Sequence, residues 1–391
     1  MAVGVLLPLT GKNAVYGSKT LLGIQLALGI FGNHKLNLPV RLAIMDTQSN
    51  PEVARLAVEK LVSEDKVISI IGPLGGDEAE TVAKQCTLSG IPNIALSQKE
   101  DLDGLGKYVF RMSVTNRDQI KQLVHYAMND KGFKRFGMLY PNDNYGQELS
   151  RYFWEEVLKE GGQITALEYY EPGQFDFRNE VKKLLGLYYI GARSTELKEL
   201  QEAKDKEKEL MSTENKKKKD EEITLPPVKS FDAIFIPDDA KIAAQIAPYL
   251  PYYDAKGVVL LGTNTWNSYQ LAARGGEHVE GAIFVDGFYS DLNASETKNF
   301  YKDFKEAYNS TPGILEAQGY DAGKLIFRVV DSITNGGKAK DDVDRETFKQ
   351  HIYSVGPFVG TTGKISFDEA GKIQKKLFIL GIEKGKIILK K

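Results

Sequence analysis

Val3-Gly4-Val5-Leu6-Leu7-Pro8-Leu9-Thr10-Gly11 opens the chain with an apolar run that stops at a proline and a Thr-Gly turn. A short continuous apolar run bounded by turn residues is the pattern of a strand buried on both faces. Leu21, Ile24, Leu28 and Phe31 then recur in steps of three and four, one face of a helix. The alternation continues outward. Leu38–Met45 is an apolar strand, and Pro51 opens a helix carrying Ala54, Ala57, Val58 and Leu61, with proline where a first turn tolerates it. Val67–Ile71 is strand, Asp77–Leu88 helix and Ile91–Leu96 strand. This β-α-β-α order predicts a parallel sheet covered by helices on both faces.

The pattern restarts near residue 117. Ile120, Leu123, Val124 and Ala127 mark a helix, Arg135–Tyr140 a strand, and Leu149, Phe153 and Val157 another helix. Strands follow at Ile164–Tyr169, Phe231–Ile236, Val258–Leu261 and Ala282–Val285. The expected fold class is therefore α/β, with two doubly wound parallel-sheet lobes. In such sheets ligands bind beyond the carboxyl ends of the strands, so function is sought in the loops there.

Composition narrows the function classes. The 391 residues carry 51 Lys plus Arg against 53 Asp plus Glu, a net charge of −2, with 42% hydrophobic residues. A near-neutral chain has no basic field to hold a nucleic-acid backbone. No apolar run approaches the ~18 residues of a membrane span. The single cysteine, Cys86, excludes an internal disulfide and a Cys-based zinc cage, and it falls in a helical pattern as a structural thiol. His34, His125, His278 and His351 make no metal-ligand spacing, so neither metal nor cofactor is expected.

The loops do not read as catalytic. The first has neither G-x-G-x-x-G nor G-x-x-x-x-G-K-[ST], and no G-x-S-x-G elbow occurs. The loop after Ile71 reads Gly72-Pro73-Leu74-Gly75-Gly76-Asp77, where glycines let backbone approach a ligand and a helix start offers N–H groups. Asp77 either faces that site or caps its helix. Strand ends repeatedly carry an aromatic or small polar residue: Tyr16, Ser97, Tyr145, Trp266, Phe288 and Tyr320. Small-molecule clefts are built from such walls and a few oriented polar groups. One segment departs from the pattern: between Glu196 and Glu222, 18 of 27 residues are charged, including Lys216–Lys219. Its charges nearly cancel, so it reads as a solvated insertion, spanning about 186–230 and closed by Pro226-Pro227, or as a partner-docking projection.

Seven motifs in order resemble type I periplasmic binding proteins of the leucine/isoleucine/valine-binding branch. They are Val3 to Thr10-Gly11 with Tyr16-Gly17, Asp46-Thr47-Gln48-Ser49-Asn50-Pro51, Ile70-Ile71-Gly72-Pro73, Gly90-Ile91-Pro92, Asn142-Asp143-Asn144-Tyr145-Gly146, Tyr320-Asp321-Ala322 and Thr362-Gly363-Lys364-Ile365-Ser366-Phe367-Asp368. Tyr108-Val109-Phe110-Arg111 falls in the same order. The resemblance implies two lobes joined by a three-crossover hinge, a small ligand between them, and no catalysis. Lobe one would comprise 1–116 and 286–356, lobe two 117–285 and 357–391. Crossovers would lie near Ser113–Asn116, Val285–Phe288 and Phe358–Gly363.

Carried over position by position, the match is uneven. Where amino-acid-binding members place a serine hydroxyl on the ligand carboxylate, this chain reads Leu74-Gly75-Gly76-Asp77. A later small-polar cluster reads Leu96-Ser97-Gln98-Lys99. The loop expected to hold an acid for the ligand ammonium reads Gly262-Thr263-Asn264-Thr265-Trp266-Asn267. The ligand contacts implied are Tyr16, Gly75, Gly76, Asp77, Ser97, Lys99, Tyr145, Asn264, Trp266, Phe288 and Tyr320. The implied function is an extracytoplasmic solute-binding receptor that captures an amino-acid-like or peptide-like ligand for an ABC importer. Its location would be periplasmic, with an ABC permease as partner and a leader or lipoprotein anchor preceding Met1. The insertion followed by Phe231 to Asp239, and then by Leu261 to Asn267, also resembles the binding-protein-like domain of penicillin-binding-protein activators. That resemblance implies the alternative, an envelope module that contacts a peptidoglycan synthase.

Overall fold

A computed structural model describes residues 1–30, 40–210, 224–337, 339 and 343–390. Phe31, His34, Leu38 and Lys216–Lys219, which the sequence reading used, lie outside the described residues. The chain divides into two compact units: Met1–Gln119 with Gly287–Phe378, and Ile120–Asp286 with Ile379–Lys391.

Unit 1 begins with five strands: β1 (Ala2–Leu7), β2 (Arg41–Asp46), β3 (Ile70–Ile71), β4 (Asn93–Ala95) and β5 (Val109–Arg111), ordered β2-β1-β3-β4-β5 and all parallel. Every residue of β1 is buried, as its unbroken apolar run requires of a strand covered on both faces. The Pro51–Ser63 helix starts where proline predicts. Asn50 Oδ1 accepts the N–H groups of Glu52 and Val53 at 2.9 and 3.2 Å, satisfying two donors that the first turn leaves open. On one face the Ala14–Ala27 helix packs against the 22-residue Ile314–Asn335 helix. They approach so closely at Gly23 that a Cβ there would fall 2.0 Å from the Glu316 carbonyl oxygen.

Unit 2 carries β6 (Arg135–Pro141), β7 (Gln163–Tyr170), β8 (Ala233–Phe235), β9 (Val259–Gly262) and β10 (Ile283–Asp286). The first four run β9-β8-β6-β7 in parallel, and β10 pairs parallel with β9. A stacked pair, Phe153 on Phe235 at 4.3 Å, seats the Asn144–Lys159 helix on this sheet. The described part of the charged insertion includes the Ser194–Leu210 helix. Arg193 ties its root, donating to the carbonyls of Gly186 at 3.1 Å and Pro226 at 2.9 Å.

The chain then returns to unit 1, where β11 (Phe358–Gly360), β12 (Gly363–Phe367) and β13 (Ile373–Gln374) form a small antiparallel sheet. It ends in unit 2 with the β14 (Phe378–Glu383) and β15 (Lys386–Leu389) hairpin, completing a seven-stranded sheet ordered β15-β14-β10-β9-β8-β6-β7. Residues 357–378 therefore correct the sequence reading, which put them in lobe two with a crossover at Phe358–Gly363. Phe358, Ile365 and Ile373 are buried in the unit 1 core with Val5, Phe110 and Ile326. Asp321, fully buried, takes the N–H groups of Thr361 and Thr362 at 2.6 and 3.0 Å and the Thr362 hydroxyl at 2.5 Å. The third passage between units falls at 378/379; the first two fall at 119/120 and 286/287.

Candidate functional site

The loops at the carboxyl ends of the strands are built separately in each unit. In unit 1, Asp46 at the end of β2 organises the loop that follows β1. Its carboxylate accepts the N–H groups of Leu9 (2.8 Å), Thr10 (3.1 Å) and Gln48 (2.8 Å) and the Thr10 hydroxyl (2.6 Å). Partial burial alone would raise its pKa, but these donors override it and hold the group below the ordinary carboxylate range. Tyr16, on the helix that follows, stands 54% exposed.

The glycine loop after β3 leads into the Gly76–Leu88 helix, whose N-cap is Gly75, so no side chain caps it. Asp77 is an exposed first-turn residue, not the cap. Glu78, also in the first turn, is buried and accepts the Thr47 hydroxyl at 2.7 Å through Oε1, while its Oε2 has no hydrogen-bond partner among the described residues. Acids are favourable at this end of a helix dipole. Lys99, in the loop after β4, pairs with Glu80 of the same helix at 2.7 Å. Hydrogen bonds from Lys84 and Lys99 depress the Glu80 carboxyl to about 2. Ser97 is 1% exposed, and its hydroxyl accepts the Lys99 N–H at 3.2 Å.

Two of the aromatic residues expected in the ligand site occupy other ground in unit 1. Phe288 is 2% exposed, in a cluster with Phe300, Phe304 and Ala317. Tyr320 packs on Phe300 at 4.8 Å, and burial pushes its hydroxyl up to about 12.

In unit 2 the ends of β6, β7, β8 and β9 converge on Asp238. Its Oδ2 accepts the Tyr170 hydroxyl at 2.6 Å, and its Oδ1 accepts the Asp239 N–H at 2.6 Å. Its backbone carbonyl accepts the Thr265 hydroxyl at 2.7 Å and the Trp266 indole N–H at 3.0 Å. Burial raises the Asp238 pKa despite the Tyr170 donor, and it raises the Tyr170 hydroxyl as well. Tyr145 adjoins this cluster, with its hydroxyl 3.4 Å from Thr263 Oγ1 and pushed up to about 12 by burial. Asn264, half-buried, lies in the same loop. The Tyr145 site follows a helix start that Asp143 caps through the Gly146 N–H at 2.8 Å.

Trp266, expected as a wall of the ligand site, is 0% exposed. Its ring lies against Gly262, where a Cβ would fall 2.1 Å away, and its edge is spent on the Asp238 carbonyl. It positions the loop and offers no surface to a ligand. The Gly262–Asn267 loop carries no acid, and one strand over the loop after β8 carries Asp238. The signal was present as Pro237-Asp238-Asp239 directly after an apolar strand. Asp239 caps the next helix through the N–H groups of Lys241 and Ile242, leaving Asp238 for the loop cluster. Among the described residues no group of acids, histidines and cysteine could hold a metal ion. Among them, too, no helix is long and apolar enough to cross a membrane.

No curated protein matches the chain significantly in sequence. Several solved structures share its fold. The leucine-binding protein LivK of Thermotoga maritima superposes with a TM-score of 0.69 at 23% identity, over 100% of this chain and 98% of that one. LivJ of Streptococcus pneumoniae, solved with isoleucine, gives 0.69 at 20% identity, over 99% and 97%. A solute-binding protein of R. palustris, solved with benzoate, gives 0.67 at 20% identity, over 99% and 94%. At such identities these likenesses speak to the fold alone: α/β, two-lobed, with parallel sheets, as in type I periplasmic binding proteins. The family model described as periplasmic binding protein matches residues 1–186 and 252–386, stepping over the charged insertion and β8. That family consists of solute-binding proteins, not enzymes. With a match over both units and a shared fold, this chain belongs to the periplasmic binding protein family.

Proposed function

We propose that the protein is the extracytoplasmic, periplasmic solute receptor of an ABC importer, and that its ligand is a small amino-acid-like or peptide-like molecule carrying an ammonium group. The observation that carries this reading is Asp238. A half-buried carboxylate at the carboxyl end of β8, ringed by Tyr170, Tyr145 and Thr263, is suited to an ammonium group and hostile to a bare anion. In unit 1, the uncapped start of the Gly76–Leu88 helix supplies N–H groups for a carboxylate, while Asp77 and Glu78 beside it oppose a purely anionic ligand. Of the solved relatives named above, one is a leucine-binding protein and the others were solved with isoleucine and with benzoate; the acids of this chain favour the zwitterion. Tyr16, Gly75, Gly76, Asp77, Ser97, Lys99, Tyr145 and Asn264 remain the proposed contacts, now joined by Asp238.

The test is a thermal-shift screen against the twenty amino acids, short peptides and benzoates. A ligand at 100-fold its dissociation constant stabilises a protein by about 2.7 kcal/mol, which moves the melt by several degrees. A hit among amino acids or peptides supports the reading. A hit confined to benzoates, or silence across the panel, overturns it.

One observation favours a second reading, an envelope module that contacts a peptidoglycan synthase. Beside the root of the charged insertion, Tyr188, Tyr189 and Ile190 stand exposed next to the Ser194–Leu210 helix. Exposed aromatic residues of this kind suit a protein partner. Co-sedimentation with a purified synthase, lost when Tyr189 and Ile190 are changed to serine, would favour it.

A further inference from the structure

A groove of about 440 Å³ opens within unit 1, between the Ser295–Tyr308 and Ile314–Asn335 helices and β11. Its size lies in the range of small-molecule sites, about 300–1,000 Å³. Lys324 and Arg328, one turn apart on the Ile314–Asn335 helix, both line it. The Lys324 Nζ lies 5.4 Å from the ring centroid of Tyr320 and 5.9 Å from that of Phe327, so aromatic faces hold the ammonium in place. The Arg328 guanidinium sits 5.2 Å from the Phe358 ring. Among the described residues, neither cation has a carboxylate oxygen within 4.0 Å.

Like charges at this spacing repel, and the described acids that act on them, Asp303 and Asp321 on Lys324 and Glu296 on Arg328, do so without an ion pair. Asp321 borders the groove, but both its oxygens are engaged by Thr361 and Thr362. Glu296 and Asp331 line it without an ion pair to either cation, and their charge disfavours anions too large for the two cations to cover. Burial, with Arg328 nearby, holds the Lys324 ammonium below its ordinary range, and the charges of Asp303 and Asp321, acting from beyond ion-pair distance, offset this only in part.

We propose that this groove binds a compact anion bearing a carboxylate or phosphate group, held between the Lys324 ammonium and the Arg328 guanidinium. The site lies wholly in unit 1. It is distinct from the loops proposed for the solute and does not depend on that assignment.

Calorimetric titration of the full chain with succinate and with inorganic phosphate, at low chloride and without any other ligand, tests this. Saturable binding of either anion with a dissociation constant below about 1 mM, weakened at least tenfold in Lys324→Gln and in Arg328→Gln, is the expected result. Binding of succinate alone assigns the site to carboxylates, and of phosphate alone to phosphate groups. Circular dichroism melts show that both variants fold. Absence of saturable binding by both anions overturns the proposal, as does binding that persists unchanged in the double variant. Because the titration contains no solute, an unsuccessful solute screen leaves its outcome intact.

Discussion

The indole N–H of Trp266 donates to the backbone carbonyl of Asp238 across 3.0 Å, which locks the loop after β9 onto the loop after β8. The same carbonyl takes the Thr265 hydroxyl at 2.7 Å. The carboxylate proposed to meet the ligand is thus held in place by a fully buried ring.

Trp266→Ala should therefore cost stability. Deleting a buried aromatic ring opens a cavity and removes about 3–5 kcal/mol. Trp266→Phe keeps most of the apolar contact, loses the indole donor and should cost about 1–2 kcal/mol. Urea unfolding followed by the unit 2 transition measures both. A loss below about 1 kcal/mol for the alanine variant contradicts the packing role.

Asp238 supplies a pH signature. Burial raises its pKa in the folded state, so folding takes up a proton there. Its contribution is most favourable below the unfolded carboxylate pKa and is lost as pH rises through the elevated folded value. Asp238→Asn removes this dependence. The variant should melt at or above the native protein at pH 7, and the difference should shrink toward pH 4. A gap that widens on acidification would reverse the sign. In solute binding the same variant should lose at least tenfold in affinity, about 1.4 kcal/mol.

Asp321→Ala strips the acceptor from two buried backbone N–H groups and the Thr362 hydroxyl. Leaving buried donors unpaired costs about 1–3 kcal/mol each, so a total of at least about 3 kcal/mol is expected. Hydrogen exchange should quicken at Thr361 and Thr362 before it quickens elsewhere in unit 1. Unchanged protection there would remove Asp321 as the anchor of that turn.

Gly23→Val drives a side chain into the Glu316 carbonyl oxygen and should separate the two helices at a cost of about 3 kcal/mol. Thermal unfolding reads the loss. An unchanged melting temperature would mean the helix pair can slide apart without penalty.

The alternating core was legible because it is local. The Val3–Leu7 run, the Asn50-Pro51 helix start and the restart near 117 each carry their period within a few residues. The sheet around 358–374 was not. Phe358, Ile365 and Ile373 read as scattered apolar residues until the Ile314–Asn335 helix gathers them in unit 1. The candidate site was half legible. The Asp143-Asn144-Tyr145-Gly146 motif singles out Tyr145, which stands beside the Asp238 cluster. Trp266 was misplaced because an aromatic residue after a strand looks the same whether it lines a cavity or seals a core. Asp238 was overlooked because its adjacent acid, Asp239, has the helix-capping pattern, and only the fold separates their roles.

The β14–β15 hairpin lies beside β10 at one end of the unit 2 sheet, with the Ala282 carbonyl accepting the Ile382 N–H at 3.1 Å. During synthesis, β10 leaves the ribosome nearly a hundred residues before its partner. At about 5–20 residues per second, that flank goes uncovered for several seconds or more. An unprotected strand edge is a template for pairing between chains. A nascent chain stalled in that interval would meet its neighbours edge to edge, so the interval is where a holding chaperone has the most to protect.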